Sequence, residues 1–157
     1  MRHAKSDWSI PGQPDFERSL NERGHRDASL MAERLKELNI KPDAIFSSSS
    51  LRTRLTAQYI CEKIGFNFEN IQWKDSLYEV SLDEILQHIR NFDNNYQSVM
   101  MFGHNPTYTH LVEYLTNISI NNMPTAGVAN IYLKISSWKK ITKGVGELKW
   151  FIYPKET

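Results

Sequence analysis

Apolar residues recur at Ala28, Met31, Ala32, Leu35 and Leu38, a spacing that predicts an amphipathic helix from Asp27 onward, with Gly24 marking its approach. The apolar run Ala44–Phe46, just after Pro42, predicts a buried strand. Ser47–Ser50 lead from it into a second helical pattern through Leu51, Leu55, Tyr59, Ile60 and Ile64. A strand is expected near Ile71–Trp73. Ser81 with Glu84 three residues on is a capping box, and Leu82, Ile85, Leu86, Ile89 and Phe92 continue it as a one-faced helix. Val99–Phe102 then predict another buried strand, and Asn105 and Pro106 suit the cap and first turn of a helix carrying Leu111, Val112 and Leu115. Val128–Ile135 and Leu148–Tyr153 predict later strands, the second rich in aromatic residues.

Strand, loop and helix thus alternate, the signature of an α/β fold. At 157 residues the chain fits one domain, without repeats or low-complexity linkers. In such folds ligands sit beyond the carboxyl ends of the strands, where helix N-termini present free amides to anions. Arg52 and His104 fall at two of these junctions, and Arg2 and His3 precede a turn-rich loop from Asp7 to Pro14.

Charge narrows the partners. Nineteen basic and 18 acidic residues leave a formal charge of +1, so no global field draws in nucleic acid or an anionic membrane, and any anion specificity must be local. Trp138, Trp150, Phe151 and Tyr153 lie near Lys139, Lys140 and Lys149, but strand-core packing accounts for the aromatics more simply than a nucleic-acid surface. No stretch approaches the roughly 18 apolar residues of a membrane span, and the N-terminus lacks a signal-peptide apolar stretch. The single cysteine, Cys61, reads as a buried inert thiol, and a cytoplasmic protein is expected.

Three separate segments therefore offer groups of matching chemistry: Arg2 and His3, Arg52 in a serine-rich turn, and His104 within Gly103-His104-Asn105-Pro106. A phosphoryl group in transfer spreads charge over its equatorial oxygens and needs positioning and cationic donors, with arginine the best fork for paired oxygens. A neutral imidazole can itself attack phosphorus, and water can then release the phosphate from the labile phosphoramidate. No metal is required, and the six-residue offset of His104 and His110, with no second cysteine, disfavours a zinc site. His25, His88 and His110 read as structural or solvent-exposed.

The motifs Arg2-His3-Ala4-Lys5-Ser6, Ser47-Ser48 with Leu51-Arg52-Thr53-Arg54 and Thr56-Ala57, Leu77-Tyr78-Glu79 and Gly103-His104-Asn105-Pro106 carry a specific resemblance. The chain resembles the SixA-like phosphohistidine phosphatases of the histidine phosphatase superfamily. The likeness continues through Asn21-Glu22-Arg23-Gly24 and Met123-Pro124-Thr125-Ala126 to Trp150 and Pro154-Lys155. It implies a three-layer α/β/α sandwich with a mostly parallel central sheet, phosphoglycerate mutase-like, formed by residues 1–157 as one domain. It also implies that His3 is transiently phosphorylated, that Arg2 and Arg52 clamp the phosphoryl oxygens, and that His104 completes a cationic pocket without cofactor or metal. The family pattern sets its arginine four residues before a threonine, so Thr56 selects Arg52 over Arg54. Glu79 is the candidate proton donor.

Two departures matter. Family members begin with a short apolar strand leading into the Arg-His motif, whereas Met1 stands directly before it here, so upstream residues are expected to be missing. Without them, the terminal amino group would lie beside the nucleophile and His3 would hang on a frayed end. Ala4 in place of glycine, and Ser9 where the mutases carry an asparagine, favour the SixA-like branch. The expected substrate is phosphohistidine on a protein such as a phosphotransfer domain. The alternatives are a small phosphorylated molecule, cleaved with help from Glu79, and a non-catalytic phosphate-binding module.

Overall fold

Helix α1 (Glu22–Glu37) begins five residues before the apolar periodicity does. Asn21 is its cap, accepting from the Gly24 N–H at 2.8 Å, so Gly24 lies inside the first turn rather than ahead of it. A Cβ at Gly24 would collide with the Lys5 carbonyl, which explains glycine there. The computed structural model describes residues 1–154, leaving Lys155 outside the described residues.

The remaining elements follow the expected alternation: β1 (Ala44–Ser48), α2 (Leu51–Ile64), β2 (Gln72–Lys74), α3 (Leu82–Arg90), β3 (Val99–Phe102), α4 (Thr107–Thr116), β4 (Val128–Leu133) and β5 (Gly146–Ile152). Both halves of the capping box form at α3, with Glu84 N–H donating to Ser81 Oγ at 3.2 Å and Ser81 N–H to Glu84 Oε2 at 3.0 Å. Pro106 is the N-cap of α4, one residue later than the expected cap at Asn105, while the Asn105 side chain still accepts from the Thr109 N–H at 3.2 Å.

Strands β2, β1 and β3 pair in parallel in that order, connected by α2 and α3, and β4 pairs with β5 antiparallel. The pleat separates two apolar layers. Ile45, Met100 and Phe102 pack with α1 and α2, whereas Ala44 and Phe46 pack with α3 and α4. A sheet covered by helices on both faces results, the expected three-layer sandwich.

Met1–His3 lie between β3 and the turn before β4. Gly103 N–H donates to the Met1 carbonyl at 3.1 Å and His3 N–H to the Gly103 carbonyl at 3.1 Å. On the other side Arg2 N–H donates to Gly127 O and Ala126 N–H to His3 O, each at 2.9 Å. Ala126 adopts φ +61° to do so. This corrects the expectation of a frayed end, because backbone hydrogen bonds hold His3 on both sides. The Met1 amino group donates to the Met101 carbonyl at 2.8 Å rather than lying beside His3, and burial pulls it from 8.0 to about 5. Beyond Met1, β3 and β4 both line an apolar cleft of about 660 Å³.

The late aromatics divide. Trp138 stacks edge-on against Phe92 at 5.3 Å, and Trp150 and Phe151 pack on the two apolar layers. Tyr153 is exposed instead, a departure from the core packing expected of it. Cys61 is buried and its thiol is pushed up to about 12 by that burial, as expected of an inert thiol.

Candidate active site

A pocket of about 360 Å³ opens at the carboxyl ends of β1 and β3, lined by Arg2, His3, Arg52 and His104 among others. The four side chains proposed from separate segments meet there. Arg52 is buried at the second position of α2, while Arg54 faces outward over Trp73, 5.2 Å from its ring centroid. Periodicity alone explains the difference, since residues two apart on a helix face opposite sides.

The His3 ring is fixed through Nδ1, which lies 2.7 Å from the Ala4 carbonyl. A carbonyl can only accept, so Nδ1 carries the hydrogen and Nε2 bears the free lone pair. Nε2 faces into the pocket, 3.4 Å from Arg52 Nε. Burial lowers the imidazole from 6.5 to about 4, opposed by the Ala4 carbonyl and reinforced by Arg52 and Arg2, so it is neutral at pH 7. Thr56 ties this arrangement to α2, accepting from the Ala4 N–H at 3.0 Å and donating to the Arg52 carbonyl at 2.7 Å.

His104 follows β3 through Gly103, where a Cβ would meet the Tyr108 ring at 2.6 Å. Arg52 can only donate, so its Nη2 at 3.5 Å makes His104 Nδ1 the acceptor and leaves the ring hydrogen on Nε2, 2.8 Å from Ser48 Oγ. Burial first, then His3 and Arg52, lower the His104 imidazole to about 3. His104 is therefore neutral at pH 7 in this pocket. Its charge state follows from desolvation and neighbouring positive groups, which a motif does not display. Positive charge comes from the arginines. Arg2 Nη1 donates to the Met123 carbonyl at 2.8 Å, and its buried Nε has no partner.

Glu79 lies exposed on the rim of the same pocket. Ser9 lies outside the pocket lining, exposed, with its N–H on Asp7 Oδ1 at 2.8 Å. His25 bonds the Tyr59 hydroxyl at 2.9 Å, and His88 and His110 are remote from the pocket lining.

Two further lining residues, Asp15 and Tyr78, had no role assigned from the sequence, although Tyr78 stands in the Leu77-Tyr78-Glu79 motif. Asp15, in a 3-10 turn at Asp15–Glu17, accepts from Arg52 Nη2 at its Oδ2 (2.9 Å) and from Nη1 at its backbone carbonyl (2.6 Å). The Tyr78 hydroxyl donates to the same Oδ2. Burial opposes ionisation of Asp15, yet the bonds from Tyr78 and Arg52 hold its carboxyl below the usual range. The local signal was only an acid in a turn-rich stretch, 37 residues from Arg52.

No helix among the described residues is long and apolar enough to cross a membrane, and no group of three or more His, Cys, Asp or Glu side chains among them is placed to hold a metal ion.

Comparison with known proteins agrees with this geometry. The SixA protein of Agrobacterium tumefaciens has a structure similar over 98% of this chain and 95% of its own, with a TM-score of 0.81 and 30% identity. A protein histidine phosphatase SixA solved with tungstate shares the fold at a TM-score of 0.82 and 20% identity, over 98% of this chain and 94% of its own. An uncharacterized protein of Mycobacterium tuberculosis is 27% identical over 99% of this chain and all of its own length. A 2,3-bisphosphoglycerate-dependent phosphoglycerate mutase of Bartonella tribocorum is 34% identical over 41% of this chain and 32% of its own. The profile of the histidine phosphatase superfamily (branch 1) matches residues 1–90 of the 157. With more than half its length matched and two arginines and two histidines meeting where its parallel strands end, the chain belongs to the histidine phosphatase superfamily.

Proposed function

We propose that the protein removes phosphate from phosphohistidine on a protein substrate, without a metal ion, through a covalent intermediate on His3. The observation that carries this reading is the His3 ring: locked by Ala4, neutral at pH 7, and presenting the Nε2 lone pair beside Arg52. The phosphoryl group moves from the substrate nitrogen to Nε2, breaking one P–N bond and forming another. Water then attacks phosphorus, phosphate departs, and the bonding pair returns to Nε2. Arg2 and Arg52 neutralise the equatorial oxygens, and the unpartnered Arg2 Nε is a donor available for them. The arriving anion favours protonation of His104, whose Nδ1 then becomes a donor too.

A phosphohistidine leaving group needs less protonation than an alkoxide, which suits a rim where Glu79 is solvated. The rim position of Glu79 also supports a second reading, a small-molecule phosphomonoesterase that uses it as the acid.

The test pairs a phosphohistidine-bearing phosphotransfer domain with an aryl phosphate, each with and without EDTA. Wild type is expected to dephosphorylate the domain equally under both conditions, and His3→Ala to be slower by on the order of 10³-fold or more. Aryl phosphate turnover that outpaces the domain and collapses in Glu79→Gln would establish the second reading instead.

A further inference from the structure

Arg52 is already engaged before any substrate arrives. Its two terminal nitrogens donate to one residue, Asp15, through both side chain (2.9 Å) and backbone (2.6 Å). The guanidinium is nearly sealed, at 8% side-chain exposure, whereas the Asp15 carboxylate is 46% exposed at the pocket's open end. Tyr78 pins that carboxylate by donating to Oδ2, and Phe16 packs edge-on against the Tyr78 ring at 4.9 Å, so the negative charge is held in place. Arg18 lies 3.7 Å from its other oxygen.

The pocket is thus polarised along its depth. Its floor holds two guanidiniums and two imidazoles, and its rim holds the carboxylates of Asp15 and Glu79. A phosphoryl group on the floor directs whatever it is attached to toward that rim. We propose that Asp15 is a specificity-determining residue that disfavours phosphate esters with an anionic leaving group and favours phosphoramidates whose leaving nitrogen departs with its own proton. This rests on the phosphatase reading and sharpens its substrate class.

The chemistry is consistent on both sides. A protonated phosphoramidate needs no external acid: the P–N bond breaks, the electron pair stays on nitrogen, and histidine or lysine leaves neutral with the proton it brought. A substrate whose departing group is positive before the bond breaks gains from a fixed carboxylate nearby, and a carboxylated one loses. Between unit charges about 5 Å apart at the edge of a protein, the effect is on the order of tenfold in rate or affinity, and salt weakens it.

The decisive variant is Asp15→Asn, which keeps an acceptor for Arg52 and leaves the backbone carbonyl in place. The probes are a phosphohistidine peptide, phenyl phosphate and 3-phosphoglycerate. Asp15→Asn is expected to raise kcat/KM for 3-phosphoglycerate about tenfold relative to phenyl phosphate, to lower that for the phosphohistidine peptide relative to it, and to show both changes less at 0.5 M salt. An equal loss on all three probes would reduce Asp15 to holding Arg52 in position, and unchanged ratios would equally overturn the proposal. Calorimetric affinities for 3-phosphoglycerate and inorganic phosphate read the same selection without turnover. If wild type cleaves none of the probes, the phosphatase reading falls, and the Asp15→Asn change in that affinity ratio still decides whether Asp15 selects by charge.

Discussion

Met1–His3 divide two regions built in opposite ways. On one side is the pocket at the strand ends, where His3, Arg52 and His104 are tied to Ala4, Asp15 and Ser48 by hydrogen bonds. On the other is the cleft of about 660 Å³ between β3 and β4, lined chiefly by apolar side chains. The pocket is held by hydrogen bonds at strand ends, through Gly103, Ala126 and, from α2, Thr56.

Paired truncations break this comparison most sharply. Phe102 is fully buried at the end of β3, and Phe102→Ala is expected to cost about 3–5 kcal/mol of stability. Ile131 lines the cleft and is only partly buried, so Ile131→Ala is expected to cost about 1 kcal/mol. Urea midpoints of the two variants check the difference, and equal losses would mean that the cleft closes in solution.

Acid acts on the pocket side. Unfolded histidine binds a proton near 6.5, whereas folded His3 resists it until about 4. Stability from neutral His3 is therefore complete above 6.5 and is lost as pH falls toward 4, by on the order of 3 kcal/mol. His104 extends the same trend toward pH 3. Urea unfolding between pH 7 and 4.5 should show a shallower decline in His3→Gln than in wild type.

Much of the frame was legible because its signals are local. The Ser81 capping box, the Val99–Phe102 strand and the helix from Leu51 to Ile64 each rest on residues within a few positions of one another. The start of α1 was misplaced because Asn21 caps it with a polar side chain, ahead of the first buried stripe. Arg2, His3, Arg52 and His104 were legible as a set because each adjoins a strand end, and strand ends converge in this class of fold. Asp15 was not, since no periodicity marks a contact between a turn and a helix far along the chain, and Tyr78 stood in a recognised motif without its contact to Asp15 being visible.

What the sequence by itself determined is the alternation of strands and helices and the four side chains gathered at the strand-end pocket, since both are written in short-range patterns and motif spacing. What only the tertiary structure decided is the state of those side chains. Burial makes His3 and His104 neutral, a turn at Asp15 hands Arg52 a counter-ion, and the first three residues are anchored between β3 and the turn before β4. Desolvation and long-range hydrogen bonds depend on which surfaces meet, and no single stretch of the chain contains both partners.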